Sequence, residues 1–230
     1  MVHGVHPIKV AIVYYSRFGA LKAVADEIAL GAQQVPLAEV LVQLIEVGDQ
    51  PAGEARGGES PVHAFARRRQ LLEQLAEADA LVVGAPGYFG SMASPVKRFF
   101  EDCLTDEGPP NTDRTRPWAA WRLHSKVGAA FAASATPHGG NEQTLQSILT
   151  MFMHLGMIVV TPGQAEPILE NQGAPYGATV VTGPTGQRMS SDEEQQWARA
   201  LGRRVAETAL WLRWGQDEWL RAREGPLPVD

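Results

Sequence analysis

The sequence predicts an α/β fold, a five-stranded parallel sheet with helices on both faces. Three observations lead there: short, nearly unbroken apolar runs, amphipathic helical patterns between them, and turns bearing glycine or serine where one gives way to the other. Unbroken apolar runs are what strands covered on both faces require.

The first strand is 8–15, "IKVAIVYY", rich in β-branched and aromatic residues. A helix follows over 20–34, with Leu21, Val24, Ile28 and Ala32 on one face and Lys22, Asp26 and Gln33 on the other. The second strand lies near 39–45, and the stretch "GDQPAGEARGGESP" after it is loop by its glycine and proline content. Helix 63–77 leads to the third strand, "ADALVVGAP" (78–86), then to a helix over 94–103. The fourth strand is "VGAAFAAS" (127–134), followed by helix 141–155 and a fifth strand, "GMIVVTP" (156–162). A long last helix covers 192–214, leaving 215–230 as a tail. No repeat or low-complexity linker interrupts this, so the expectation is a single domain over 1–230 with its core at about 8–214.

Composition removes several classes of function. Among 230 residues, 20 are basic and 26 acidic, a net charge of −6 that gives no bulk attraction to nucleic acid or anionic membrane. No DNA-reading module is present. The single cysteine, Cys103, forms no internal disulfide and suits a reducing compartment. The start, "MVHGVHPIK", lacks the pattern of a signal peptide, and no apolar run reaches the ~18 residues of a membrane span. The expectation is a cytoplasmic protein with neither nucleic acid nor membrane as partner.

Five strands alternating with helices point to the flavodoxin-like order, where ligands bind beyond the carboxyl ends of the strands at the switch point. Three loops converge there: Ser16–Leu21 ("SRFGAL"), Pro86–Ser91 ("PGYFGS") and Ser134–Asn141 ("SATPHGGN"). They hold hydroxyls, glycines and aromatic rings, and no carboxylate. Two open directly into helices, whose first N–H groups carry partial positive charge. Ser16 Oγ and the amides around Gly19 therefore suit a phosphate without any lysine. Tyr88, Phe89 and Phe18 suit the faces of a flat ring, and a phosphate on a planar group suggests FMN. Competing chemistries lack their residues. A phosphoryl receiver needs carboxylates where the strands end in "YYS" and "GAP", and neither G-x-x-x-x-G-K-[ST] nor G-x-S-x-G occurs.

With these stretches the chain resembles the WrbA-type NAD(P)H:quinone oxidoreductases, a flavodoxin-like family. The stretches are "YYSRFG" (14–19), "ADALVVGAPGYFGSM…VKRFF" (78–100), "TPHGGNEQT…HLGMIVV" (136–160) and "GAPYGATVVTGPTGQRMSSDEE" (173–194). The last is the most specific, and the likeness spans roughly 8–210. It implies an FMN-dependent, two-electron reduction of quinones by NADH or NADPH, in a homotetramer with sites near subunit interfaces. Carried over by motif, Ser16, Arg17, Phe18, Gly19, Ala20 and Leu21 surround the FMN phosphate. Pro86, Gly87, Tyr88, Phe89 and Gly90 line the ribityl chain and ring. Ala133, Ser134, Ala135, Thr136, Pro137, His138, Gly139 and Gly140 close the other side. Phe18 and Trp118 border the substrate space, and His138 is the candidate proton donor to a quinone oxygen, imidazole being the side chain that ordinarily titrates nearest neutrality.

The chain also departs from that family. Arg17-Phe18-Gly19-Ala20 stands where a small or apolar residue then Tyr-Gly-His is usual, Gly87-Tyr88-Phe89 replaces Thr-Arg-Phe, and His154-Leu155-Gly156 replaces His-His-Gly. These changes keep a non-catalytic electron carrier or a regulatory binding protein open beside the enzyme, while the modest charge and the "GAPYGA" segment favour the enzyme.

Other residues read as structural. Cys103 is a packed small residue, His154 is a surface or interface residue, and His3 and His6 sit at a terminus. Trp197, Leu201, Val205 and Leu212 form the core stripe of the last helix, while Trp211 and Trp214 fall outside it and suit a subunit contact.

Overall fold

The computed structural model describes residues 7–49, 54, 56–104, 122–164 and 174–223. The core is a parallel sheet built from β1 (Ile8–Tyr14), β2 (Val40–Glu46), β3 (Ala80–Tyr88) and β5 (Val127–Ser134), in the order β2-β1-β3-β5, with a split edge strand beyond β5. Helices α1 (Ala20–Gln33) and α5 (Asp192–Arg223) cover one face, and α2 (Pro61–Glu77), α3 (Ser94–Leu104) and α4 (Asn141–His154) the other. The expected flavodoxin-like α/β fold is therefore present.

Side-chain alternation divides the core in two. Along β1, Ile8, Val10, Ile12 and Tyr14 pack toward α1 and α5, whereas Ala11 and Val13 pack toward the other helices. Every residue of β5 is buried, as its apolar run requires. Fully burying a side chain such as Ile12 or Phe131 contributes about 1.5–3 kcal/mol. Glycine sets how closely two layers approach: Phe131 lies over Gly84 of β3, where a Cβ would stand 2.1 Å from the ring.

The edge strand differs from expectation. Only Ile158–Val159 (β6) pair with β5, at Val127–Gly128, and the pairing resumes at Ala178–Val181 (β7) against Phe131–Ser134. Between them Pro162 has no N–H to give a ladder and Gly163 turns at φ 70, so the chain leaves the sheet. β7 leaves little trace in the sequence because "ATVV" is only four residues long, with Gly177 just before it and Gly183 close after it. A two-residue β4 (Ser91–Met92) also folds back on the end of β3.

Two helix ends moved as well. α2 begins at Pro61, with Ser60 as N-cap accepting from the His63 N–H (3.3 Å), and α5 runs to Arg223 rather than stopping at 214. α5 starts with a capping box: the Glu194 N–H donates to Ser191 Oγ (3.3 Å) and the Ser191 N–H to Glu194 Oε2 (2.7 Å). Cys103 is buried, and burial pushes its thiol up to about 12. Trp197, Leu201 and Val205 are core residues, while Trp211 and Trp214 are exposed.

Candidate active site

The carboxyl ends of β1, β3 and β5 open into a cleft of about 290 Å³. After β1 the chain turns through Gly19 at φ 89, a left-handed conformation suited to glycine, and enters α1. The Lys22 N–H donates to Ser16 Oγ (3.3 Å) and the Ala23 N–H to the Gly19 carbonyl (3.1 Å). The amides of Ala20 and Leu21 keep no partner among the described residues, and they are the donors a helix start offers to an anion.

The second loop is a tight hairpin. Tyr88 pairs with Ser91, and the two residues between, Phe89 and Gly90, have φ of 54 and 72. Positive φ at both centres of a two-residue turn is the type I′ geometry, natural for Gly90 and strained for Phe89. Phe89 is fully exposed. Gly87 allows close packing beneath it, since a Cβ there would stand 2.6 Å from Thr144 Oγ1. Arg17 stands between the first two loops: it lines the cleft with Tyr88, which raises its pKa, and its Cζ lies 5.6 Å from the centre of the Phe18 ring.

The third loop folds on itself. Ser134 Oγ donates to the Thr136 carbonyl (2.7 Å) and the Gly139 N–H to the same oxygen (2.9 Å). Gly140, at φ 83, starts α4, and a Cβ on it would meet Gly90 Cα at 3.0 Å, so this loop presses on the hairpin.

Of the residues expected from sequence, Ser16, Arg17, Phe18, Ala20, Leu21, Pro86, Gly87, Tyr88, Ala133, Ser134 and Ala135 line the cleft together. Gly19, Phe89, Gly90, Thr136, Pro137, His138, Gly139 and Gly140 shape the loops but are not on its wall, and His138 is exposed. Trp118, like His3 and His6, lies outside the described residues.

A fourth wall was missed. Thr182, Pro184, Thr185 and Gly186, just after β7, complete the lining. Thr182 is pinned to the third loop, its N–H (2.8 Å) and Oγ1 (3.2 Å) both donating to the Ser134 carbonyl. Arg188 braces the segment from behind, its N–H donating to the Thr182 carbonyl (2.8 Å) and its guanidinium to Glu194 (2.9 Å). The signal was the run Gly183-Pro184-Thr185-Gly186, which resembles the other loops in composition but followed a strand too short to read.

The fit to FMN is testable from the donor set. Among the described residues no Asp or Glu stands on the wall; the Ala20 and Leu21 amides and the Ser16 hydroxyl lie at one end, and the Phe18 and Tyr88 rings with small residues form the sides. A phosphate at the α1 end with a flat ring beyond matches that distribution.

The chain matches the NADPH-dependent FMN reductase family over residues 14–166 and belongs to it. It is 39% identical over 207 residues to an "NAD(P)H dehydrogenase (quinone)" of Bradyrhizobium diazoefficiens, covering 87% of this chain and 96% of that protein. A protein of the same name from Caulobacter vibrioides is 37% identical, with 89% and 98% covered. Among solved structures, a flavodoxin-type WrbA-like protein from Agrobacterium tumefaciens superposes with a TM-score of 0.57 at 21% identity, over 88% of this chain and 97% of that one. That last likeness speaks to the fold.

Proposed function

We propose that the protein reduces quinones to hydroquinones with NADH or NADPH, using FMN held in the cleft. The observation that carries this is the wall built by four loops around the free amides of α1, which holds no carboxylate among the described residues. The names of the relatives point the same way.

FMN, when bound, supplies a carrier that takes two electrons from the nicotinamide and passes them to the quinone. The chain's part is binding and orientation. Ser16 Oγ and the Ala20 and Leu21 amides hold the phosphate, with Arg17, Phe18 and Gly19 shaping the turn. Pro86, Gly87 and Tyr88 flank one side of the ribityl and ring region, and Ala133, Ser134 and Ala135 the other, with Thr182–Gly186 packed beside Phe18. Phe89, Gly90 and the loop Thr136, Pro137, Gly139 and Gly140 set the rim. Phe18 borders the substrate space, where ring stacking is worth ~0.5–1.5 kcal/mol per good pair beyond burial. His138, exposed on the rim, delivers a proton to a quinone oxygen; unchanged turnover in His138→Ala across pH removes that role.

The working form is a cytoplasmic homotetramer folded as one domain. Exposed Trp211 and Trp214 on α5 support a subunit contact. No helix among the described residues is long and apolar enough to cross a membrane, and the lone cysteine accords with a reducing compartment. The test is direct: record the visible spectrum of the purified protein, titrate the apo form with FMN, then follow NAD(P)H oxidation with benzoquinone. A flavin band and quinone-dependent oxidation are expected. No FMN binding at micromolar concentrations overturns the reading.

A further inference from the structure

At the other end of the sheet, where β3 and β5 begin and α5 passes them, the described residues line an open cavity of about 240 Å³. β5 runs from it to the cleft, and eight residues of strand separate the two by roughly 23 Å. The charged wall is lopsided: Arg122, Lys126 and Arg213 stand against one carboxylate, Asp79, with His124 and Gln216 beside them.

The carboxylates there are already engaged. Asp79 accepts from Arg213 and from the Lys9 N–H (2.9 Å), and Glu73 on α2 takes both ends of the Arg122 guanidinium, at 2.9 and 2.7 Å. Lys126 has no carboxylate within ion-pair distance among the described residues. Its ammonium donates to the Ala78 carbonyl and keeps two N–H groups to give. Burial pushes its pKa down; Asp79 opposes this, while Arg213 and Arg122 add to it. With Arg122 and Arg213 each already paired to a carboxylate, the half-buried Lys126 ammonium is the surplus cation of the cavity, and a further anion offsets the cost of its burial. The imidazole is held in place as well. His124 Nδ1 lies 2.7 Å from Ser125 Oγ, and the ring packs on Gly156, where a Cβ would stand 2.5 Å away.

We propose that this cavity binds a small molecule bearing a phosphate group, its dianionic oxygens met by Lys126, Arg213 and His124. A doubly charged tetrahedral group offers more acceptors to this surplus of donors than a carboxylate does. The inference stands apart from the quinone reading, since it uses no residue of the cleft.

The experiment is calorimetric titration of the full chain, saturated with FMN, with inorganic phosphate or acetate at constant ionic strength. Phosphate binds one per chain with a Kd of about 1 mM or tighter, acetate at least tenfold more weakly. Lys126→Met and Gln216→Glu each weaken phosphate at least tenfold and leave quinone turnover within twofold. Gln216 is exposed on α5, so that variant decides the matter if Lys126→Met fails to fold. No phosphate binding, acetate binding as tightly as phosphate, or a phosphate affinity that Gln216→Glu leaves unchanged overturns the proposal. So does phosphate binding abolished only by Ser16→Ala, which places it in the cleft.

Discussion

The Phe18 ring rests against Gly186: a Cβ on that glycine would stand 2.7 Å from Phe18 Cδ2. Gly186 also holds φ 72, closing a turn in which its N–H donates to the Gly183 carbonyl at 3.0 Å. Two penalties thus meet in Gly186→Val. The strained backbone costs of order 1–3 kcal/mol, and the ring must move. FMN affinity is expected to fall at least tenfold, with a lower melting temperature. Adding Phe18→Ala recovers part of the stability and not all of it, because the clash disappears while the positive φ stays. Equal stabilities of the single and double variants count against the contact.

Ser16 tests the phosphate turn. Its hydroxyl accepts from the Lys22 N–H and has its own proton to donate toward the end of α1. A hydrogen bond to a charged group is worth about 1.5–3 kcal/mol, so Ser16→Ala should weaken FMN binding by about 10- to 100-fold. Fluorescence titration of the apo protein reads this. An affinity within twofold of the parent would place the phosphate elsewhere.

The close crossing of α1 and α5 lies toward the far end of α1 from that turn. A Cβ on Gly31 would stand 2.0 Å from the Arg199 carbonyl oxygen, and one on Gly202 at 2.0 Å from that of Ile28. Both obstacles are backbone, so the helices must separate. Overpacking of this sort costs about 1–3 kcal/mol. Gly31→Ala should lower the urea midpoint accordingly with the slope unchanged. An unaltered midpoint would mean that the two helices do not pack this closely.

The sheet order and the first three loops were legible because each strand is an apolar run on its own, from Ile8 to Tyr14 or Val127 to Ser134. The edge strand was not, because its hydrogen bonds come from two short pieces that the chain joins only in space, Ile158–Val159 and Ala178–Val181. The wall at Thr182–Gly186 was lost with it. Arg17 was recognisable as a charge near the ring, but its place 5.6 Å from the Phe18 ring centre depends on loop geometry that no spacing encodes. The continuation of α5 past Trp214 was missed because its exposed residues, Gly215, Gln216, Asp217 and Glu218, carry no apolar periodicity.

Cys103 gives a prediction with a definite sign. Burial raises its thiol from 9.0 to about 12, the nearby Arg68 and Asp102 charges contributing less and in opposite directions. The folded protein therefore keeps this proton where the unfolded chain loses it. Stability from the group is complete below pH 9 and is lost as pH rises toward 12, at about 1.4 kcal/mol per unit. Tyr14 and Tyr15, also raised chiefly by burial, slope the same way, whereas Lys126, lowered by burial, slopes the opposite way. The comparison that isolates the thiol is therefore the parent against Cys103→Ala, with unfolding free energies measured in urea from pH 8 to 10.5. The two curves should run parallel up to pH 9 and converge above it. A thiol reagent at pH 8 should label the native protein only at the rate of unfolding. Rapid labelling, or curves that stay parallel to pH 10.5, would show that Cys103 is open to water.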